Sequence, residues 1–82
     1  MAELSAVMNF NQVRKGMRAR VKSVTATHDD ARRLQEMGLT EGTEFTVVKV
    51  APFGDPVEIR LRGYRLCLRK RESTHIDIEV VE

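Results

Sequence analysis

The chain has 82 residues, 41% of them apolar, 32% charged and only 5% aromatic with no Trp, and a formal net charge of +2. That size holds one domain with one aliphatic core of Val, Ile, Leu and Met, and the composition excludes a disordered polyelectrolyte and a histone-like polycation. No apolar run approaches the roughly 18 residues of a membrane helix, so no direct membrane insertion is expected.

Residues 1–9 show no clear pattern and are expected to be an N-terminal tail, with the single domain at 10–82. Asn9 to Gly16 has the makings of one helical turn, opened by an Asn and closed by a Gly. Met17, Ala19 and Val21 alternate with Arg18, Arg20 and Lys22, predicting a half-buried strand with a basic outer face. Thr27 and Asp30 stand at capping-box spacing ahead of Ala31, Leu34 and Met37, with Asp replacing the usual Glu or Gln, so a two-turn helix is predicted over 29–37. Gly38 follows its last apolar position, where a left-handed residue closes a helix, and Gly42 permits a second reversal.

Residues 44–51 then run extended, but Phe45 and Val47 share one phase while Val48 and Val50 share the other. A phase switch inside one strand predicts a β-bulge or a sharply curled barrel strand. Ala51-Pro52-Phe53-Gly54-Asp55-Pro56 stops that strand, with Gly54 and Pro56 as structural turn residues alongside Gly38 and Gly42. Val57, Ile59 and Leu61 alternate with Glu58, Arg60 and Arg62. A hairpin turn is expected at Gly63-Tyr64, followed by Leu66 and Leu68 facing inward and Arg65, Cys67 and Arg69 outward. Glu72 to His75 reads as a short 3₁₀ turn, and Ile76, Ile78 and Val80 as a last strand. Five short strands and one short helix predict an all-β fold, a small partly open β-barrel.

These residues resemble the ferrous iron transport protein A (FeoA) family. The resemblance rests on Leu34-x-x-Met37-Gly38-Leu39-x-x-Gly42, Val50-Ala51-Pro52-x-Gly54-Asp55-Pro56-Val57, Leu66-x-Leu68-Arg69-Lys70 and Ile76-x-Ile78, spread over residues 10–81. It implies an SH3-like barrel and a small cytoplasmic accessory of bacterial ferrous iron uptake. The implied partner is the cytoplasmic domain of the large GTPase-bearing iron permease (FeoB). A similar domain is also found fused behind the DNA-binding and metal-binding parts of some iron-responsive repressors, for which this chain has no room. A lone cysteine, Cys67, and an acidic rather than signal-like start at Met1-Ala2-Glu3-Leu4 are consistent with a cytoplasmic location.

Candidate metal ligands are His28, Asp29, Asp30, Cys67, His75 and Asp77, but no two-cysteine, two-histidine or facial-triad spacing joins them, so no metal site and no cofactor are expected. No nucleophile–base pair, paired carboxylates or phosphate loop is legible, so the chain is not expected to be an enzyme. The basic run from Arg60 to Arg71 reads first as a solvated strand face, with Glu44, Glu58 and Glu72 near enough to pair with its arginines. A nucleic-acid-binding small barrel is an alternative, but Tyr64 is the run's single aromatic and no stacking platform accompanies it. An iron carrier or sensor is the second alternative. The favoured site is a protein-docking surface: Leu39 and Phe53 as apolar contacts, Pro52 and Asp55 holding Phe53 in place, and Arg60, Arg62 and Arg65 steering the encounter. The oligomeric state is not legible.

Overall fold

Alternation of small apolar residues with charged ones, broken by tight turns, yields six antiparallel strands among the described residues. A computed structural model describes residues 7–25 and 28–81. In chain order these are β1 (Val7–Asn9), a 3₁₀ turn (Phe10–Gln12), β2 (Arg18–Val24), α1 (His28–Glu36), β3 (Glu44–Val50), β4 (Val57–Leu61), β5 (Tyr64–Leu68), α2 (Lys70–Ser73) and β6 (Ile76–Val80). The sheet order is β1-β6-β2-β3-β4-β5, with every neighbour antiparallel. One core cluster draws Phe10, Val21, Leu34, Phe45, Ile59, Leu68 and Ile78 together with their buried neighbours, so the sheet curls around a single interior. The first and last strands of the order, β1 and β5, do not pair, which leaves the barrel partly open.

The curl comes from bulges. Pairing between β3 and β4 slips between Val47 and Lys49, the place where the apolar phase of the sequence switches. A second slip lies between Val21 and Ser23 on β2. Each inserts one residue, which bends the strand and increases its twist. The ends of the fold are stitched by side chains: Asn9 donates to the Thr74 carbonyl and the buried Ser73 hydroxyl donates to Asn11 Oδ1, joining the 3₁₀ turn to α2. Phe10 stacks on Phe45 with centroids 5.3 Å apart.

Several sequence expectations need correction. Val7–Asn9 is not tail but an edge strand paired with β6, which makes six strands rather than five; residues 1–6 lie outside the described residues. Three residues are too few for alternation to register, and only the partner strand makes them a strand. The expected helical turn ends at Gln12, and Gly16 belongs to a separate turn in which the Met17 N–H donates to the Arg14 carbonyl. The Thr27 half of the expected capping box also lies outside the described residues, and α1 begins at His28. The β4–β5 hairpin turns on Arg62-Gly63, not Gly63-Tyr64: Leu61 pairs with Tyr64, and Arg62 and Gly63 have φ of 50° and 85°. Two successive left-handed residues match the right-handed twist of a two-residue hairpin. Residues 70–73 form one turn of α-helix where a 3₁₀ turn was expected at 72–75.

Candidate docking surface

Helix α1 ends in a Schellman close. The Leu39 N–H donates to the Leu34 carbonyl (2.9 Å), the Gly38 N–H donates to the Gln35 carbonyl (3.0 Å), and Gly38 has φ of 94°. In this motif the residue after the left-handed glycine packs against the residue one turn back in the helix. Leu39 and Leu34 are accordingly both buried, at 1% and 2% exposure. Leu39 is therefore a core residue, and its expected role as a partner contact is withdrawn. Its position after a helix-closing glycine suggested exposure, but the same closure turns its side chain inward.

Phe53 is the opposite case, with 94% of its surface exposed. The loop that carries it is tied at three points. The Gly54 N–H donates to the Ala51 carbonyl (2.8 Å), the Ala51 N–H donates to the Pro56 carbonyl (3.1 Å), and Asp55 Oδ1 accepts the N–H of Lys70 (2.9 Å). The Asp55-Pro56 peptide is cis. Asp55 thus anchors the loop to the start of α2. Asp55→Ala is expected to cost about 1 kcal/mol by removing this cap-like acceptor. Thermal unfolding followed by circular dichroism measures it; an unchanged melting temperature would mean that the anchor contributes nothing.

Beside the loop lies an open groove of about 320 Å³, lined by Lys49, Ala51, Pro52, Pro56, Glu58 and Cys67. Strand alternation puts Glu58 and the exposed Cys67 opposite each other on the outer face of the β4–β5 ribbon. Arg60 and Arg65 pair across the strands two residues further along, and Arg62 sits in the hairpin turn. Arg65 bonds to Glu58 at 3.2 Å, whereas Arg60 and Arg62 have no carboxylate partner among the described residues. The sequence-predicted residues therefore form a stripe, not a cluster. Phe53 lies in the loop before β4 and Arg62 in the turn after it, and the five-residue strand between them is about 17 Å long.

The other glutamates of the basic faces also find partners. Glu44 lies 3.7 Å from Arg18 and 3.6 Å from Arg20, Arg20 reaches Glu79 at 3.8 Å, and Arg33 meets Glu72 at 3.6 Å. The Arg33–Glu72 pair spans a cleft of about 340 Å³ between α1 and α2, which also contains Asp30, Leu34, Arg71 and His75. Among the described residues, no three His, Cys, Asp or Glu side chains converge as metal ligands. Cys67 stands on the outer face of β5 and Asp77 on β6, while Asp29 and Asp30 open α1. No described helix is long and apolar enough to cross a membrane.

Sequence reasoning missed the groove lining, Lys49, Ala51, Glu58 and Cys67. The signal available was the hairpin register, which the misplaced turn shifted by two residues, setting Glu58 opposite Arg69 instead of Cys67. It also missed Tyr64, whose hydroxyl donates to the Met37 carbonyl and thereby fastens β5 to the end of α1.

Comparison with known proteins places the chain. The FeoA domain model matches residues 8–80. A fusion protein from Porphyromonas gingivalis, described as Fe(2+) transport protein A joined to the Fe(2+) transporter FeoB, is 31% identical over 74 residues. The match takes in 90% of this chain and 9% of that relative, so the chain spans less than a tenth of its length. A FeoA-like protein from Clostridium acetobutylicum superimposes with a TM-score of 0.84 at 34% identity, over 96% of this chain and 92% of the other. FeoA from Stenotrophomonas maltophilia, solved with zinc and described as an SH3 domain protein, gives 0.74 at 29% identity, over 87% and 88%. The barrel is SH3-like, and with nearly every residue from β1 to β6 inside the matched stretch, the chain belongs to the FeoA family.

Proposed function

We propose that this chain is a cytoplasmic accessory of ferrous iron uptake that docks, through the β4–β5 stripe and its Phe53 loop, on the cytoplasmic part of the GTPase-bearing iron permease. The observation that carries the reading is the Porphyromonas gingivalis relative, in which a stretch like this chain is covalently joined to the transporter. A covalent link raises the local concentration of one module around the other, which is useful only where the two have business together. The surface suits such a role. A phenylalanine held out on a tethered loop offers an apolar anchor, and Arg60 and Arg62 supply unneutralised charge that speeds encounter with an acidic face. Modulation follows from docking whenever the barrel binds two states of the permease unequally, because a ligand shifts an equilibrium by that difference alone.

The test is a titration of the chain with the permease's cytoplasmic domain under reducing, low-salt conditions. Saturable binding is expected. Phe53→Ala should weaken it at least tenfold while leaving the melting temperature within about 2 °C, since surface substitutions of this kind stay within about 0.5 kcal/mol. Absence of binding overturns the reading. Salt dependence separates the nucleic-acid alternative: duplex binding falls with a slope of about −0.9 per phosphate neutralised, and a contact anchored by Phe53 falls less steeply.

A further inference from the structure

Strand β5 ends the sheet order, and its register shows which of its backbone groups are spare. Leu61 and Tyr64 close a two-residue hairpin, so they exchange both hydrogen bonds, and bonded and non-bonded pairs alternate from there. Ile59–Leu66 and Val57–Leu68 are then bonded pairs, while Arg60–Arg65 and Glu58–Cys67 are not. The N–H and C=O groups of Arg65 and Cys67 point away from β4, towards the open edge. Among the described residues, no backbone group of another element bonds to them. The strand carries no proline and no bulge, two of the devices by which natural edges avoid pairing. The groove beside Pro52 and Pro56 is bounded by Cys67, and the unneutralised Arg60 and Arg62 flank the other end of the same edge.

We infer that β5 receives an extended segment of a partner polypeptide as a seventh, antiparallel strand, with an apolar residue over the groove at Cys67 and carboxylates two and four positions later, at Arg65 and at the Arg62-Gly63 turn. This deepens the docking reading and rests on it for the partner's identity alone. Main-chain bonds to Arg65 and Cys67 supply affinity, and the outward side chains set the pattern, as in strand addition generally. The charge distribution argues against a second copy as occupant. A second copy of β5 supplies Tyr64 to Leu68, which include no carboxylate to meet Arg62 or Arg65, and a register that sets Arg65 opposite its own copy would oppose like charges.

The experiment follows backbone amide exchange in the ¹⁵N-labelled full chain with two probes: the permease's cytoplasmic domain, and the capped peptide Thr-Val-Thr-Glu-Thr-Glu-Thr at millimolar concentration. Exchange at Arg65 and Cys67 should slow at least tenfold. Cys67→Pro, which deletes an edge donor but no β4 bond, and Arg60→Glu, which leaves the backbone intact, should each weaken binding about tenfold. The amides of β6 report that each variant is folded. Binding of the domain without protection at Arg65 and Cys67 overturns the inference and leaves the docking reading standing. Protection by the peptide alone supports the inference and removes the permease as partner. No protection by either probe overturns the inference. Protection that grows with the chain's own concentration means that a second copy fills the edge, which also overturns it.

Discussion

Leu39→Ala is expected to leave the protein largely unfolded at 37 °C. Truncating a buried leucine costs roughly 2–5 kcal/mol, through lost transfer energy and the cavity left behind. A domain of this size nets only about 3–5 kcal/mol from its core. Leu39 lies in the main cluster at 1% exposure, where α1 turns back into the barrel. Leu39→Met, which nearly conserves volume, should lose less than about 1.5 kcal/mol. Urea denaturation followed by circular dichroism separates the two variants. A Leu39→Ala protein with wild-type stability and impaired partner binding would return Leu39 to the surface.

The second large effect is expected at Gly38. Its φ of 94° lies where a Cβ is costly, about 1–2 kcal/mol for an L-residue. A methyl group there would also run into the Tyr64 hydroxyl, which is bonded to the Met37 carbonyl next door. Gly38→Ala therefore meets backbone strain and displaces a hydrogen bond worth about 1 kcal/mol. A total loss of roughly 2–3 kcal/mol follows from those two terms. Tyr64→Phe alone should cost about 1 kcal/mol, and combining it with Gly38→Ala should cost less than the sum, because the collision partner is gone. A denaturation cycle over the four proteins measures the coupling. Strict additivity would mean that the hydroxyl yields freely and that the glycine is needed for its dihedral alone.

Other glycines of the chain invite less. Gly63 has a left-handed φ in the hairpin but open space around its α-carbon, so only the dihedral constrains it. The contrast with Gly38 gives the Met-Gly-Leu segment of the family resemblance a structural reason. Met37 supplies a carbonyl to Tyr64, Gly38 supplies the turn and the room for that hydroxyl, and Leu39 supplies the core contact.

The alternation of Val57, Ile59 and Leu61 and of Ile76 and Ile78 was legible as strands because each side chain is chosen for one face, and the phase switch at Val48 marked its bulge for the same reason. The candidate site was half legible. Pro52, Gly54 and Pro56 announced a bend, which depends on residue type and immediate neighbours, whereas an apolar residue at its tip could equally fold back onto the core or stand out as Phe53 does. The turn at Arg62-Gly63 was read one residue late because Arg is an unusual occupant of a left-handed position, which Gly63 beside it makes tolerable.

Local chemistry, then, determined by itself the single small core, the order of strands and turns, the glycine closure of α1 and the absence of familiar ligand spacings. Only the tertiary structure decided that Val7–Asn9 is a strand, that Leu39 is inside while Phe53 is out, and that β5 keeps a free edge beside a groove. The reason is physical. A strand and an edge are defined by what hydrogen-bonds alongside, and burial by what packs opposite, and both partners come from segments tens of residues away.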